Sequence, residues 1–320
     1  MKIAVCTLFE GNYGLGAGVL ANSLVRHDFR GTIYAGYRGP RPSWVESLSK
    51  VPSSPGSPAR VRVGPNVHLE LLPLETNSHL TNYKPEFMLS LLRGRAPDAD
   101  ALLYLDPDIV VNEGWQFFQD WLSCGVALCE DVNSPLHHSH PRRRGWRKFY
   151  ADRGIQLRGG ESFYANGGAI GVSKSDVEFL EIWEQATRLM GEEIGGLQAA
   201  KVAGGHEFAM RGFAGCFDCS DQDSLNASIE AYRGSISLLG QEAIALKPGH
   251  AVLPHALGGR KPWNCSYLAD AFSGRPPRLV DKLFWMDADS PIQVFAAGRI
   301  ALKQAAIRFS AALGRFYARR

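Results

Sequence analysis

The sequence predicts an α/β protein with a mainly parallel central sheet, flanking helices and a helical C-terminal tail. Short apolar runs typical of buried strands alternate along the chain with longer runs typical of helices. A glycine-rich stretch follows the first apolar run, as in a β-α-β opening. With 45% hydrophobic and 21% charged residues, the 320-residue chain can bury a sizeable core.

The elements before residue 110 follow from apolar patterning. A β-rich run over 3–7, glycines at 11, 14, 16 and 18, a helical run over 19–25 and a strand over 32–34 form the β-α-β opening. Residues 52–58 alternate Pro, Ser and Gly, which predicts a flexible loop and not a domain boundary, because strand and helix signals resume at once. The next predicted elements are a strand over 67–72, a helix over 85–92 and a strand over 101–105.

The second half of the chain continues the alternation around one polar stretch. Residues 135–160 are polar and basic, and we interpret 137–148 as a loop that is either solvated or an acceptor-binding or lid element. The remaining predicted elements are strands over 126–129, 169–172 and 251–253, helices over 177–190 and 221–232, and a basic helical stretch from about 292.

Charge and composition narrow the class of partner. A formal net charge of +3 is too small to indicate nucleic acid, so no nucleic-acid partner is expected. No apolar stretch could span a bilayer, and the first apolar run is too short for a signal peptide. We therefore expect a cytoplasmic protein with reduced cysteines, in which the Cys216-x-x-Cys219 pair is structural or incidental.

Two carboxylates follow the predicted strand over 101–105. Asp106 and Asp108 are two positions apart, so they point the same way if the strand geometry continues. Hard cations take carboxylate oxygens, and ligand sites of open α/β sheets lie at the carboxyl ends of strands. A polar turn that closes the strand gives the same pattern, but the long apolar lead-in favours a site for Mn²⁺ or Mg²⁺ against a diphosphate.

A histidine follows the predicted strand over 251–253. An imidazole at His255 can be a third metal ligand, and Gly258 with Gly259 permits close approach of backbone to a phosphate. Lys261 can supply a point charge to that phosphate. A structural histidine beside a surface turn is the alternative interpretation.

Two further polar stretches precede that histidine. Asp221 can cap the predicted helix over 221–232, which leaves Gln222 and Asp223 unexplained. Asn166 begins an Asn-Gly-Gly stretch that looks like a tight turn before the strand over 169–172.

Together these stretches resemble glycosyltransferase family 8, the retaining transferases that include glycogenin and the lipooligosaccharide galactosyltransferases. The resemblance covers positions 104 to 263 in the family's order, and Asn12-Tyr13 extends it to the N-terminus. It implies the GT-A fold for residues 1–270, with 271–320 as a basic helical extension. The matching stretches are Tyr104-Leu105-Asp106-Pro107-Asp108, Asn166-Gly167-Gly168, Asp221-Gln222-Asp223 with Leu225-Asn226, and His255-x-x-Gly258-x-x-Lys261-Pro262-Trp263.

The resemblance also implies roles for individual residues. Mn²⁺ is held by Asp106, Asp108 and His255, and Asp221 and Gln222 lie beside the anomeric carbon of the sugar. An aspartate that often follows the family's first strand is absent here, where residues 8–11 read Leu-Phe-Glu-Gly. The implied contacts to the UDP-sugar donor are Thr7, Tyr13 on the uracil, Lys84, Asp106, Asn166, and Gly258 and Lys261 on the diphosphate.

The function expected from these residues is Mn²⁺-dependent, retaining transfer of a hexose from a UDP-sugar to a glycan or lipid-linked acceptor, in surface polysaccharide biosynthesis. Two alternatives stay open: a non-catalytic scaffold that binds sugar nucleotides, and a metal-dependent phosphohydrolase or nucleotidyltransferase.

The C-terminal stretch carries apolar side chains at seven-residue spacing. Phe295, Leu302, Phe309 and Phe316 share this spacing, with Leu313 on the face of Phe309. The other face and the flank are basic, at Arg299, Lys303, Arg308, Arg315 and Arg319. A helix of this kind either binds the inner face of a membrane or packs on the domain or in an oligomer.

Overall fold

The computed structural model describes residues 1–46, 48, 57–201 and 212–314. Within them eight strands form one sheet, in the order β3-β4-β2-β1-β5-β7-β6-β8, where the labels follow chain order. The strands are β1 (Ile3–Glu10), β2 (Gly31–Arg38), β3 (Ala59–Gly64), β4 (Val67–Pro73), β5 (Ala101–Leu105), β6 (Val126–Glu130), β7 (Ala165–Ser173) and β8 (Ile236–Leu239).

Parallel pairing dominates the sheet. The pairs β1 with β5, β2 with β4, and β6 with β8 are parallel, whereas β3 with β4 and β6 with β7 are antiparallel. Residues Ile3 to Cys6 of β1 lie in register with Ala101 to Tyr104 of β5, and all of them are buried. This explains the continuous apolar runs, because parallel strands are usually covered on both faces. The predicted fold class is confirmed.

The predicted helices are present in place and type, including the helical tail, whereas those over 115–123, 141–151 and 267–272 were not predicted. Residues 52–56 of the predicted flexible loop lie outside the described residues. The α-helices are α1 (Tyr13–Arg26), α2 (Lys84–Ser90), α3 (Trp115–Ser123), α4 (Pro141–Ala151), α5 (Val177–Ile194), α6 (Ser220–Ala231), α7 (Tyr267–Phe272), α8 (Leu279–Met286) and α9 (Ala297–Leu313).

Two predictions about strand positions are wrong. The segment over 251–253 is not a strand, because its amides donate to the carbonyl of Ala243 and not to a neighbouring strand in register. The Asn166-Gly167-Gly168 stretch is not a turn before a strand, because β7 already begins at Ala165.

The chain divides into two compact units. The first unit comprises Met1–Leu8, Glu75–Tyr104 and Phe118–Gln241, and the second comprises Phe9–Leu74, Leu105–Phe117 and Glu242–Arg320. The predicted boundary at residue 270 stays a prediction.

In the first unit, most of the basic stretch interpreted as a loop is helical. Residues 141–151 form α4, and Arg143 is buried with its guanidinium on the carboxylate of Glu230. Arg147 Nε lies 2.7 Å from the other oxygen of Glu230, and Arg142 pairs with Asp223 at 2.5 Å. Both carboxylates are fully buried, so all three arginines make their ion pairs within the protein. Residues 141–151 therefore do not form a solvated loop.

In the second unit, the C-terminal segment is hydrogen-bonded to α1, and its helices pack against one another. The side chain of Asn22 in α1 donates to the carbonyls of Asp287 and Ile292 at 2.7 and 2.8 Å. Ile300 and Ile307 of α9 are buried, and α9 contacts α7 and α8. This packing agrees with the expectation that the tail packs on the domain.

The predicted apolar row of the tail divides between interior and surface. Phe295 is buried beside Trp285, whereas Leu302 is 69% exposed and Phe309 is 56% exposed. Phe316, Arg315 and Arg319 lie outside the described residues. Among the described helices, none has the length and apolar character needed to span a membrane.

Candidate metal centre and the Asp221 cluster

Backbone pairing in the second unit brings His255 beside the two carboxylates that follow β5. Ile109 and His255 form an antiparallel bridge, and the amide of Ala256 donates to the carbonyl of Asp108 at 3.0 Å. The amide of Val110 donates to the carbonyl of Pro254 at 3.1 Å. Residues 147 positions apart thus meet through main-chain hydrogen bonds, which do not depend on the side chains themselves.

The side chains of Asp106, Asp108 and His255 are close enough to share one ion, and we call this candidate the metal site. His255 Nε2 lies 3.2 Å from Asp108 Oδ1 and 3.8 Å from Asp106 Oδ2. One ligand atom from each residue lies within 4.8 Å of the others. Asp108 and His255 are buried, whereas the Asp106 side chain is 20% exposed. The site is therefore anchored in the interior and open at Asp106.

The residues of the metal site fit a divalent cation by their chemistry. Two carboxylates provide the oxygen ligands that Mn²⁺ and Mg²⁺ prefer, and an imidazole nitrogen is a common third ligand for transition metals. His255 Nδ1 is buried and has no hydrogen-bond partner among the described residues. The ring is thus positioned by packing and by its backbone, with Nε2 directed at the carboxylates.

Lys261 and Tyr13 border the metal site. Lys261 Nζ donates a short hydrogen bond to Asp108 Oδ2 and another of 2.7 Å to the carbonyl of Ala256. The same ammonium lies 5.3 Å from the Tyr13 ring, which is 39% exposed and packs edge-on against Trp263. Gly258 adopts a φ of +77°, and a Cβ there would meet no atom within 4 Å, so its main chain is accessible.

The charges around Asp108 keep its carboxylate ionised. Burial acts to raise the pKa of Asp108, but the His255 imidazole and the Lys261 ammonium outweigh it. The pKa of Asp108 therefore lies well below its ordinary value. A carboxylate that stays ionised at neutral pH is ready to bind a cation.

Helix α1 supports the loop that carries both aspartates. A Cβ added at Gly16 would lie 2.0 Å from the carbonyl oxygen of Pro107 and 3.1 Å from the Trp263 ring. The helix backbone is therefore in direct contact with the loop between Asp106 and Asp108, and only glycine permits that approach.

We expect Gly16→Ala to displace this loop, because a main-chain carbonyl cannot move as cheaply as a side chain. The free energy of unfolding should fall by about 1–3 kcal/mol, and Mn²⁺ affinity should fall with it. Gly298→Ala in α9 is the matched control, since its Cβ would meet nothing within 4 Å. Calorimetry of Mn²⁺ binding decides, and equal affinity in Gly16→Ala and the wild type would show that the contact is unimportant.

A second group of predicted residues converges in the first unit. We call Lys84, Asn166, Gly167, Asp221 and Gln222 the Asp221 cluster. Lys84 is buried, and its Nζ donates to the carbonyl of Gly167 at 2.7 Å and lies 3.4 Å from Asp221 Oδ2. Gln222 Oε1 accepts from the amide of Gly167 at 3.3 Å and from Asn166 Nδ2 at 3.4 Å. The first turn of α6 is thus held against β7 by polar contacts.

Glycine permits a close approach where α6 meets β7. A Cβ at Gly167 would lie 3.0 Å from Asp221 Oδ2 and 3.3 Å from Gln222 Cγ. This contact favours glycine at position 167, because a side chain there would press on both predicted catalytic residues.

Two buried carboxylates lie around the Asp221 cluster: sequence reasoning missed Asp131 and left Asp223 without a role. Asp131 Oδ2 accepts from Asn166 Nδ2 at 2.7 Å, and Asp223 accepts from the Tyr164 hydroxyl at 2.7 Å. Asp131 directly follows β6, so the rule on strand ends that found Asp106 could also have found it. The burial of Asp223 has no comparable local signal.

Thr7 is a predicted donor contact that belongs to neither group. It lies in β1 of the first unit, almost fully buried, and its hydroxyl has no hydrogen-bond partner among the described residues.

The other predicted residues form two groups. The structure brings together Asp106, Asp108, His255, Lys261 and Tyr13 in the second unit. It brings together Lys84, Asn166, Asp221 and Gln222 in the first.

Comparison with known proteins supports the fold. No protein-family model matches the chain, and no curated protein sequence matches it. A solved apo structure of the bifunctional glycosyltransferase WbbM is similar, with a TM-score of 0.54 and 17% identity, over 95% of this chain and 52% of that chain. The chain thus spans about half the length of that protein. The similarity shows a glycosyltransferase fold, consistent with GT-A, and membership of family 8 stays a prediction.

Proposed function

We propose that the protein is a retaining glycosyltransferase that moves a hexose from a UDP-sugar to a glycan or lipid-linked acceptor with the help of Mn²⁺. The observation that carries the proposal is the convergence of Asp106, Asp108 and His255, with Lys261 beside them. The fold that holds this site is similar to that of a protein named as a glycosyltransferase. A role in surface polysaccharide biosynthesis is part of the same proposal.

The residues of the second unit suit the diphosphate end of such a donor. When bound by Asp106, Asp108 and His255, a divalent cation supplies positive charge that stabilises the departing diphosphate. The Lys261 ammonium adds a second positive charge for a phosphate oxygen. The accessible main chain at Gly258 permits close approach of the diphosphate, and the exposed Tyr13 ring offers a surface on which uracil can stack.

Asp221 and Gln222 are proposed to orient the transferred sugar. An amide is a poor nucleophile, and the Asp221 carboxylate already lies beside the Lys84 ammonium. We therefore favour attack from the face of the leaving group. The acceptor hydroxyl forms the new bond to the anomeric carbon as the bond to the diphosphate breaks, and its proton passes to a departing phosphate oxygen. Lys84 and Asn166 hold the two side chains in place and Thr7 lines the nucleotide in this proposal.

Front-face attack predicts that the product keeps the α-configuration of the donor. The acceptor and the leaving group share one face of the sugar, so the stereochemistry at the anomeric carbon is unchanged. The coupling constant of the anomeric proton, measured by NMR on the isolated product, reports the configuration. A β-linked product from an α-donor would rule out this mechanism.

A donor screen tests the activity and separates the alternatives. UDP-glucose, UDP-galactose and their N-acetyl forms are supplied with Mn²⁺, and the release of UDP is followed. Transfer or slow hydrolysis with one donor supports the transferase, whereas binding without turnover supports the scaffold. Two-metal phosphohydrolases need more ligands than the described residues offer, since Asp106, Asp108 and His255 are the one group of three that they contain.

Peripheral contact with the cytoplasmic face of a membrane is proposed for α9. Of the nine large apolar side chains that are exposed in the described residues, six lie between Leu268 and Phe309. Leu302 and Phe309 share one face of α9, and Arg299 and Arg308 are exposed beside them. Exposed apolar and basic side chains on one helix match the apolar boundary and the negative charge of an anionic lipid surface.

Replacing Leu302 and Phe309 together by Ser should therefore abolish sedimentation with phosphatidylglycerol vesicles at low salt. Point changes are better than truncation before α9, because Ile300 and Ile307 are part of the packed interior. Val132→Ser, at a position 65% exposed in the first unit, is the matched control and should sediment like the wild type. A wild-type protein that stays in the supernatant would contradict the proposal.

A further inference from the structure

In the metal site, the Asp108 carboxylate contacts both His255 and Lys261. Asp108 Oδ1 faces His255 Nε2 at 3.2 Å, and Asp108 Oδ2 accepts the short hydrogen bond from Lys261 Nζ. Asp108 and Lys261 are both buried, so water screens their attraction weakly. The carboxylate proposed to bind the dication is therefore the one that the ammonium holds.

We propose that Lys261 competes with the divalent cation for Asp108, so that the cation and the diphosphate bind cooperatively. The proposal rests on the proposed function, because it concerns the same metal and the same donor. A dication on Asp108 repels the ammonium, and Lys261 must then give up that carboxylate. Lys261 keeps the carbonyl of Ala256 at 2.7 Å, which is a neutral and weaker partner.

A diphosphate removes this conflict by supplying a new anion. The Lys261 ammonium lies 5.3 Å from the centroid of the exposed Tyr13 ring, on the side proposed for the nucleotide. A phosphate oxygen there can accept the hydrogen bond from the ammonium, so that both oxygens of Asp108 are available to the cation. By linkage, whatever the diphosphate adds to the affinity for the cation, the cation adds to the affinity for the diphosphate. Metal alone is then bound weakly, and metal with nucleotide is bound tightly.

The proposal predicts an increase in metal affinity on removal of a positive charge. Lys261→Met keeps an unbranched side chain, one atom shorter, and removes its competing charge. In the absence of nucleotide, Mn²⁺ should bind the variant about tenfold more tightly than the wild type. A lysine that serves only as a phosphate ligand predicts no change in that affinity, and a lysine that only supports the fold predicts a loss.

Electron paramagnetic resonance of free Mn²⁺ measures the binding constant without any need for turnover. Wild type, Lys261→Met and the control Lys303→Met are titrated with Mn²⁺, alone and with saturating UDP, after correction for the Mn²⁺ that UDP binds in solution. Lys303 is a suitable control because its ammonium donates to the carbonyl of Cys265 and contacts no residue of the metal site in the described contacts.

We expect UDP to tighten Mn²⁺ binding to the wild type and to Lys303→Met by about tenfold or more, and to tighten binding to Lys261→Met much less. Equal or weaker Mn²⁺ binding by Lys261→Met without nucleotide overturns the competition and leaves the proposed function standing. If the wild type binds no Mn²⁺ even with UDP, the metal-dependent function fails and the coupling fails with it.

Discussion

Asp108→Asn is expected to lower the turnover number of sugar transfer by about a hundredfold to a thousandfold. Asparagine keeps the shape of the side chain but loses the negative charge that binds a cation. Alanine is a worse choice at this site, because it would also remove the oxygen that accepts the hydrogen bond from the buried Lys261 ammonium. The measurement is the initial rate of transfer at saturating donor and Mn²⁺, with thermal unfolding as a check on the fold.

The same prediction includes Asp106→Asn and a matched control. Asp106 is the more exposed carboxylate of the metal site, so its replacement should cost activity with little loss of stability. Asp289→Asn changes an exposed carboxylate in the same unit and should leave the rate unchanged. Full transfer activity in excess EDTA would contradict the metal requirement.

Gln222→Ala and Asp221→Asn are each expected to lower the turnover number by about a hundredfold while UDP affinity changes little. Both side chains are proposed to act on the sugar, and a group that acts mainly in the transition state affects turnover more than binding. Turnover comes from initial rates, and UDP affinity comes from calorimetry.

Two features make this prediction specific. Gln185→Ala removes an exposed amide from α5 in the same unit and serves as the control. Because Gln222 accepts from the amide of Gly167, its loss should disturb β7 only locally. Lost UDP affinity with unchanged turnover would show that Asp221 and Gln222 belong to the nucleotide site and not to the sugar site.

Alternating apolar runs are sufficient to predict the fold class and the place of Asp106 and Asp108, whereas the family resemblance implied their convergence with His255. The buried strand β5 placed Asp106 and Asp108 at a strand end, and that inference needs only local patterning. His255 was found for a reason that is partly wrong, since the segment before it is not a strand. It reaches Asp108 through main-chain pairing of residues 108–112 with 252–256, which no local pattern reveals.

The loop prediction for residues 137–148 is wrong because it assumes that charged side chains are exposed to solvent. Arg143 and Arg147 lie four positions apart on one face of α4, and both meet Glu230, more than 80 residues away. The position of a buried partner so distant in the chain is decided by tertiary packing. The pairing of Asp223 with Arg142 was not predicted for the same reason.

The C-terminal tail shows that seven-residue spacing does not predict which face of a helix is buried. The spacing of Leu302 and Phe309 predicts that they share a helical face, and they do. It does not tell which face is buried, and α9 packs through Ile300 and Ile307 instead. Both rows repeat every seven residues, so the choice between them depends on α7 and α8.

The identity of the nucleotide released from a UDP-sugar tests the central claim most directly. The purified protein is supplied with Mn²⁺ and the best donor from the screen, and the products are followed by ³¹P NMR. Cleavage at the anomeric carbon gives UDP, which is the product that a glycosyltransferase with this metal site should release, and Asp108→Asn should release almost none. Release of UMP with a sugar 1-phosphate would mean cleavage between the two phosphorus atoms, and would contradict the proposed function.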